Sequence, residues 1–121
     1  MSPLLKRITR GTLAAILLAM TVPSPARAEV DKKILRTWKA KCASCHGEDG
    51  KGGTEQGKKM GVRDMSSAEF AKDSTDAKMT DAIANGIKAK DGKTQQMEPY
   101  KDKLKPEEIS ALVAYVKTFK K

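Results

Sequence analysis

Residues 42–46 read Cys42-Ala43-Ser44-Cys45-His46, and the rest of the chain is best understood as support for this stretch. Two cysteines three positions apart lie on one face of a helical turn, and a histidine four positions after the first shares that face. C-x-x-C-H is the covalent attachment signature of a c-type haem, in which each thiol forms a thioether with a vinyl group. Histidine is also a common proximal ligand of haem iron. The motif therefore predicts one haem c, bound through Cys42 and Cys45, with His46 as an axial ligand.

Other uses of this cysteine pair fit the sequence less well. A structural zinc site needs four ligands, and the chain has only two cysteines and one histidine. A thioredoxin-like redox centre would place the pair beside a βαβ pattern, and no strand-like segment is visible near it. A stabilising disulfide suits an oxidising compartment but leaves the adjacent His46 without a role. We therefore expect haem attachment.

The N-terminal residues have the pattern of a secretory signal peptide. A positive segment at 6–10 precedes an apolar run at 12–22, and a small-x-small cleavage pattern follows at 26–28. The apolar run is much shorter than the ~20 residues of a membrane-spanning helix, so a retained anchor is the weaker alternative. We expect a cleaved signal peptide at 1–28 and a haem domain at 29–121. Because covalent haem attachment suits an exported protein, the expected location is the periplasm, with no membrane span after cleavage.

The mature domain is modestly basic and poor in aromatic residues. The chain has a net charge of +9, and four of its cationic residues fall in the signal peptide, which has no acidic ones, leaving +5. Lysines alternate with acidic residues instead of forming runs between aromatics, which argues against nucleic-acid binding. The aromatic residues are Trp38, Phe70, Tyr100, Tyr115 and Phe119. So few large side chains build a marginal core unless a cofactor fills its centre.

Hydrophobic spacing predicts helices and loops but no strand of useful length. One helix is expected from about Lys32 to the cysteines, and a last one begins at Pro106, a favourable first helical residue. Capping patterns predict two more, one after Ser66 and one after Thr75. The glycine-rich residues 47–61 and the residues between 87 and 100 are predicted to be loops. The expected fold class is all-α.

The combination of these features resembles the class I c-type cytochromes, small single-haem electron carriers with one histidine and one methionine ligand. It includes Trp38 four residues before the first cysteine, the C-x-x-C-H motif, the glycine-rich loop, and Met97-Glu98-Pro99-Tyr100 before a terminal helix. The resemblance implies a cytochrome c-like globule of three to five helices wrapped around one covalently attached haem. Two family features are missing. Ile34 replaces a glycine common eight residues before the first cysteine, and no proline follows the haem motif closely.

The resemblance implies Met97 as the second axial ligand, beside His46. Met60, Met65 and Met79 also lie in the mature domain. Met79 falls on a helical stripe, and Met60 and Met65 follow His46 too closely for a haem-sized span between the two ligands. The alternatives to Met97 are an open sixth position or a lysine ligand.

The expected function is a periplasmic electron carrier that cycles between Fe(II) and Fe(III) and is not an enzyme by itself. A haem domain with an open sixth site that binds a small gas ligand is one alternative, and a cytochrome subunit of a larger oxidoreductase is another. Lysines in the glycine-rich loop and on both sides of Met97 predict a positive rim around the haem. We therefore expect a monomer that docks onto redox partner proteins with acidic surfaces.

Overall fold

The computed structural model describes residue 21 and residues 25–120, and for residues 25–30 it describes only the backbone. Most of the predicted signal peptide therefore lies outside the described residues. No helix in the described part of the chain is long and apolar enough to cross a membrane. The elements are α1 (Pro25–Thr37), a π-helical turn (Trp38–Cys42), α2 (Ala43–His46), α3 (Glu55–Met60), α4 (Ala68–Asp73), α5 (Asp76–Asn85), β1 (Ile87–Lys88), β2 (Gln95–Met97) and α6 (Pro106–Lys117).

The helix that leads into the haem motif begins at Pro25, earlier than the predicted start near Lys32. Residues 26–29 are alanine, arginine, alanine and glutamate, which are good helix formers, and this explains the longer helix. It continues through the π-helical turn into α2 and ends at Gly47, whose φ of 79° favours glycine. The predicted cleavage site falls inside α1, and the division at 1–28 and 29–121 stays a prediction.

The prediction that residues 47–61 form a continuous loop is wrong, because they contain helix α3. Thr54 caps this helix, and its Oγ1 accepts a hydrogen bond from the N–H of Gly57 at 2.9 Å. Glu55 adds a negative charge in the first turn, where the helix dipole favours one. The helix ends at Gly61, which has left-handed backbone angles.

The other predicted helices are confirmed, with one change of cap. Ser67 rather than Ser66 caps α4, and its hydroxyl accepts from the N–H of Phe70 at 3.1 Å. Thr75 caps α5 as predicted. Helix α6 begins at Pro106, where Lys105 supplies no side-chain cap. The carboxylate of Glu108 instead accepts the Lys105 backbone N–H at 2.8 Å and satisfies this end.

The expected all-α fold is confirmed as a mostly helical globule, with one small addition. β1 and β2 form an antiparallel pair inside the predicted loop between residues 87 and 100. Two short strands are marginal alone and depend on the helices beside them, which explains why they leave no strand pattern in the sequence.

The hydrophobic core joins the two ends of the domain. Helix α6 contacts both α1 and α5. Ile34, at the position where the family commonly has glycine, is 4% exposed and belongs to this core. The core is therefore closed by an isoleucine side chain on α1. The buried hydrophobic residues are Ile34, Trp38, Met79, Leu104, Ile109, Leu112, Val113 and Val116.

Candidate haem site

A cavity of about 520 Å³ lies between the haem motif and the Met97 segment. Its volume falls in the range of roughly 300–1,000 Å³ that is typical of ligand sites. The walls are largely apolar and come from α4, α5, α6, the segment after α3 and the residue Leu104 before α6. They include Val62, Met65, Phe70, Met79, Ala82, Ile83, Leu104, Leu112 and Val116.

The structure brings the four predicted site residues together at this cavity. Cys42, Cys45 and His46 line it from the π-helical turn and α2, and Met97 lines it from β2. The other methionines of the mature domain, at positions 60, 65 and 79, line it as well. Contact with the cavity alone therefore does not distinguish Met97, and its role as a ligand stays a prediction.

The two cysteines have free, half-buried thiols at the cavity wall. Burial raises the pKa of the Cys42 thiol to about 11, although the positive charge of Lys41 acts in the opposite direction. The Cys42 thiol is therefore protonated at neutral pH. Both cysteines line the cavity, where each could form a thioether with a haem vinyl group.

His46 has the environment expected of an iron ligand. Its Nδ1 is buried and, among the described residues, has no hydrogen-bond partner. Burial also lowers the pKa of the imidazole, which favours the neutral form that binds metals. His46 also lines the cavity, where the Nε2 of a neutral imidazole can bind a haem iron. The residues present therefore fit this cofactor.

The segment after the haem motif folds back and satisfies the carbonyl groups at the end of α2. Thr54 Oγ1 donates to the carbonyl oxygens of Ser44 at 2.7 Å and Cys45 at 3.2 Å. The N–H of Gly52 donates to the carbonyl of His46 at 2.8 Å. These are groups that a helix end leaves without intrahelical partners. Residues that follow the haem motif, Gly52 and Thr54, thus stabilise its C-terminal end.

Gly57 allows α3 to approach this helix end closely. A Cβ atom at Gly57 would overlap the carbonyl oxygen of Cys45. Sequence reasoning missed the roles of Thr54 and Gly57. The available signal was a threonine followed by glutamate, which is typical of a helix start.

Trp38 packs the haem motif against the C-terminal helix. It is 3% exposed, and its Nε1 donates to the carbonyl of Gly47 at 3.0 Å. Its ring centroid lies 5.4 Å from that of Tyr115 and 5.2 Å from that of Phe119, in edge and tilted arrangements. The His46 ring lies 5.8 Å away. Trp38 is therefore a core residue that connects the haem motif to the C-terminal end of the chain.

The Met97 segment is attached to the C-terminal end of α5. The backbone N–H groups of Tyr100 and Lys101 donate to the carbonyls of Ile83 at 2.9 Å and Ala84 at 3.1 Å. These bonds satisfy carbonyls in the last turn of the helix. They also hold the chain that follows Met97, so the end of α5 determines where this segment meets the cavity.

A small helical globule with C-x-x-C-H at one wall of a haem-sized cavity and a methionine segment at another defines a c-type cytochrome. A profile of the cytochrome c family matches residues 32–120, and this chain belongs to that family. The structure titled "KustC0563 c-type cytochrome" is 34% identical, with a TM-score of 0.63, and the match covers 72% of this chain and 96% of that one. A second structure, of a tyrosine-to-phenylalanine mutant of Kustc0563, is 33% identical, with a TM-score of 0.61 and coverage of 72% and 98%. The comparison with curated proteins finds no match.

Membership of this family supports a haem-based electron carrier as the general function. The family also implies covalently attached haem c, and Cys42 and Cys45 have the required C-x-x-C arrangement. The family favours electron transfer over catalysis.

Proposed function

We propose that this protein is a periplasmic one-electron carrier with a single haem c whose iron is bound by His46 and Met97. The observation that carries the proposal is that C-x-x-C-H and Met97 line the same cavity from separate parts of the chain. Residues 51 positions apart in sequence thus meet at one site of suitable volume.

Each residue has a distinct part in this proposal. Cys42 and Cys45 hold the cofactor through thioethers, and His46, with its Nδ1 buried in the protein, binds the iron through its other ring nitrogen. The bound haem supplies the one-electron Fe(III)/Fe(II) couple. The Met97 thioether favours the ferrous form and raises the potential. The apolar wall limits the access of water, which has the same effect.

The proposed location and partners follow from the sequence pattern and from surface charge. Members of this family are typically periplasmic or extracellular, which agrees with the predicted signal peptide. The lysines of three segments, at 51–59, 88–93 and 101–105, are exposed, and we call these lysines the lysine rim. Transient redox complexes are small, so complementary charge controls their rate of encounter. We propose redox partners with acidic docking surfaces and a monomeric carrier.

The axial ligation is tested by comparing Met97→Ala with Met60→Leu, Met65→Leu and Met79→Leu. The purified ferric protein should show a weak sulfur-to-iron charge-transfer band. Met97→Ala should lose this band, and the three leucine variants should retain it. Loss of the band in one of the other variants instead would reassign the ligand.

Carbon monoxide separates the carrier from a gas-binding haem domain. Reduced wild-type protein should bind CO slowly, because Met97 occupies the sixth position, and Met97→Ala should bind it rapidly. Rapid binding to the wild type would show an open site and favour the gas-binding function.

A further inference from the structure

The small sheet beside the cavity is irregular at Met97. Ile87 is paired with Met97, and Lys88 is paired with Gln95. One step along β1 therefore corresponds to two steps along β2, which makes Gln96 an extra, unpaired residue. Such a β-bulge disrupts the ladder locally, bends its strand and often re-aims a side chain beside a functional site.

The bulge lies at the wall of the cavity. Three consecutive residues, Gln96, Met97 and Glu98, line the cavity together with Ile87, the partner of Met97, whereas Gln95 and its partner Lys88 are not among the lining residues. This run departs from the alternation of faces in a regular strand, as expected where a bulge interrupts the ladder.

The side chain of Gln95 spans the bulge. Its Nε2 donates to the carbonyl oxygen of Ile87 at 3.2 Å and also to the carbonyl oxygen of Met97. The side chain is half-buried, and it joins the two backbones where the regular ladder is interrupted. One amide group thus ties the backbone of Met97 to the opposite strand.

Gly86 provides the space for this arrangement just before β1. Its φ is +72°, a conformation that side chains rarely adopt. A Cβ atom there would overlap the Met97 carbonyl oxygen and would lie 2.6 Å from Gln95 Nε2 and 2.9 Å from the Pro99 nitrogen. The Gln95 amide and the Met97 carbonyl therefore pack directly against glycine backbone.

We propose that Gln95 is a positioning residue for Met97, because its amide ties the Met97 backbone to β1 at the bulge beside the haem cavity. This inference rests on the proposed function, in which Met97 binds the iron. Gln95 does not belong to the buried core cluster. Its loss should therefore weaken axial ligation more than it weakens folding.

The test compares Gln95→Leu with Gln56→Leu in the haem-loaded protein. Leucine removes both N–H donors at similar side-chain size, and Gln56 is an exposed glutamine on α3 that serves as the control. Imidazole competes with methionine for ferric iron, so its affinity reports how firmly Met97 is held. Gln95→Leu should bind imidazole about tenfold more tightly, as expected for the loss of about one hydrogen bond. Gln56→Leu should match the wild type.

Equal imidazole affinity in Gln95→Leu and Gln56→Leu would overturn the positioning role. If Met97→Ala nevertheless loses the sulfur-to-iron charge-transfer band, Met97 is still the ligand, and only the positioning role of Gln95 fails. If Met97→Ala keeps the band, both proposals fail.

Discussion

The hydroxyl of Tyr100 donates a hydrogen bond to the backbone carbonyl oxygen of Lys41 at 3.1 Å, across 59 residues of sequence. Lys41 immediately precedes Cys42, and Tyr100 follows Met97 by three positions. The bond therefore links the segment that carries the thioether cysteines to the segment that carries the proposed methionine ligand. Burial raises the pKa of the Tyr100 hydroxyl, which keeps it protonated as a donor.

Tyr100→Phe should lower the free energy of unfolding by about 0.5–1.5 kcal/mol, because it removes this hydrogen bond and keeps the ring. Guanidinium unfolding of the holoprotein measures the change. Tyr115→Phe is the control, since the Tyr115 ring packs on Trp38 and no hydrogen bond is described for its hydroxyl. Equal losses in the two variants would show that the Lys41 contact contributes nothing specific.

Gly57→Ala should destabilise the protein by about 1–3 kcal/mol, the usual cost of overpacking. In a helix without tertiary contacts, this change would stabilise by about 1 kcal/mol, because alanine is the better helix former. Here the new methyl group would overlap the Cys45 carbonyl oxygen. Gly53→Ala is the matched control, because no atom lies within 4 Å of a Cβ at that position. A thermal or guanidinium unfolding series in which Gly57→Ala is the more stable variant would contradict the close approach of α3.

Covalent attachment predicts that acid-acetone extraction leaves the haem on the protein. Cys42→Ser or Cys45→Ser should lower the yield of holoprotein and leave one thioether, which mass spectrometry of the haem peptide detects. His46→Ala should abolish a stable holoprotein, because the buried proximal imidazole is lost. Haem that extracts freely from the wild type would refute attachment through the cysteines.

Stability should fall in acid partly through Glu108. Hydrogen bonds from the Lys33 side chain and the Lys105 backbone lower the pKa of this carboxyl in the folded protein. The unfolded state consequently binds more protons at acid pH. The stabilisation by Glu108 is present above the ordinary pKa of a glutamate, and it is lost as the pH falls through the lower pKa of Glu108 in the folded protein.

Glu108→Gln should therefore show a shallower loss of unfolding free energy below about pH 4.5 than the wild type. Glu107→Gln is the control, because no hydrogen bond or ion pair is described for Glu107, whereas Glu108 contacts both Lys33 and Lys105. Unfolding by guanidinium at a series of pH values gives the slopes. Parallel slopes for the wild type and Glu108→Gln would show that this carboxylate does not control acid stability.

Electron transfer to the native partner should slow as salt rises, because exposed charges are screened beyond ~8 Å at physiological ionic strength. Lys58→Glu or Lys103→Glu, both in the lysine rim, should slow transfer at low salt and leave the haem spectrum unchanged. Lys32→Glu is the control: it changes the net charge by the same amount, but Lys32 lies on α1, outside the lysine rim. It should slow electron transfer less. Stopped-flow rates that stay flat or rise with salt would show that docking is apolar.

The haem motif, the C-terminal helix and the overall helical fold could be predicted from the sequence because each depends on neighbouring residues. C-x-x-C-H needs only the geometry of one helical turn, and Pro106 and Thr75 mark helix starts through their own backbone and side-chain chemistry. Met97 is distinguished in the sequence by its neighbours Pro99 and Tyr100 and by its distance from His46.

Contacts between distant segments required the tertiary structure. Helix α3 was hidden by its glycine, which is present because α3 must approach the Cys45 carbonyl closely. The bulge at Gln96 depends on which residue of β1 lies opposite Met97, and strand register has no signature within so short a strand. The Tyr100 bond to Lys41 joins backbone to side chain across 59 residues. Local patterns encode helices and their ends, whereas close approach and register arise only when separate segments pack together.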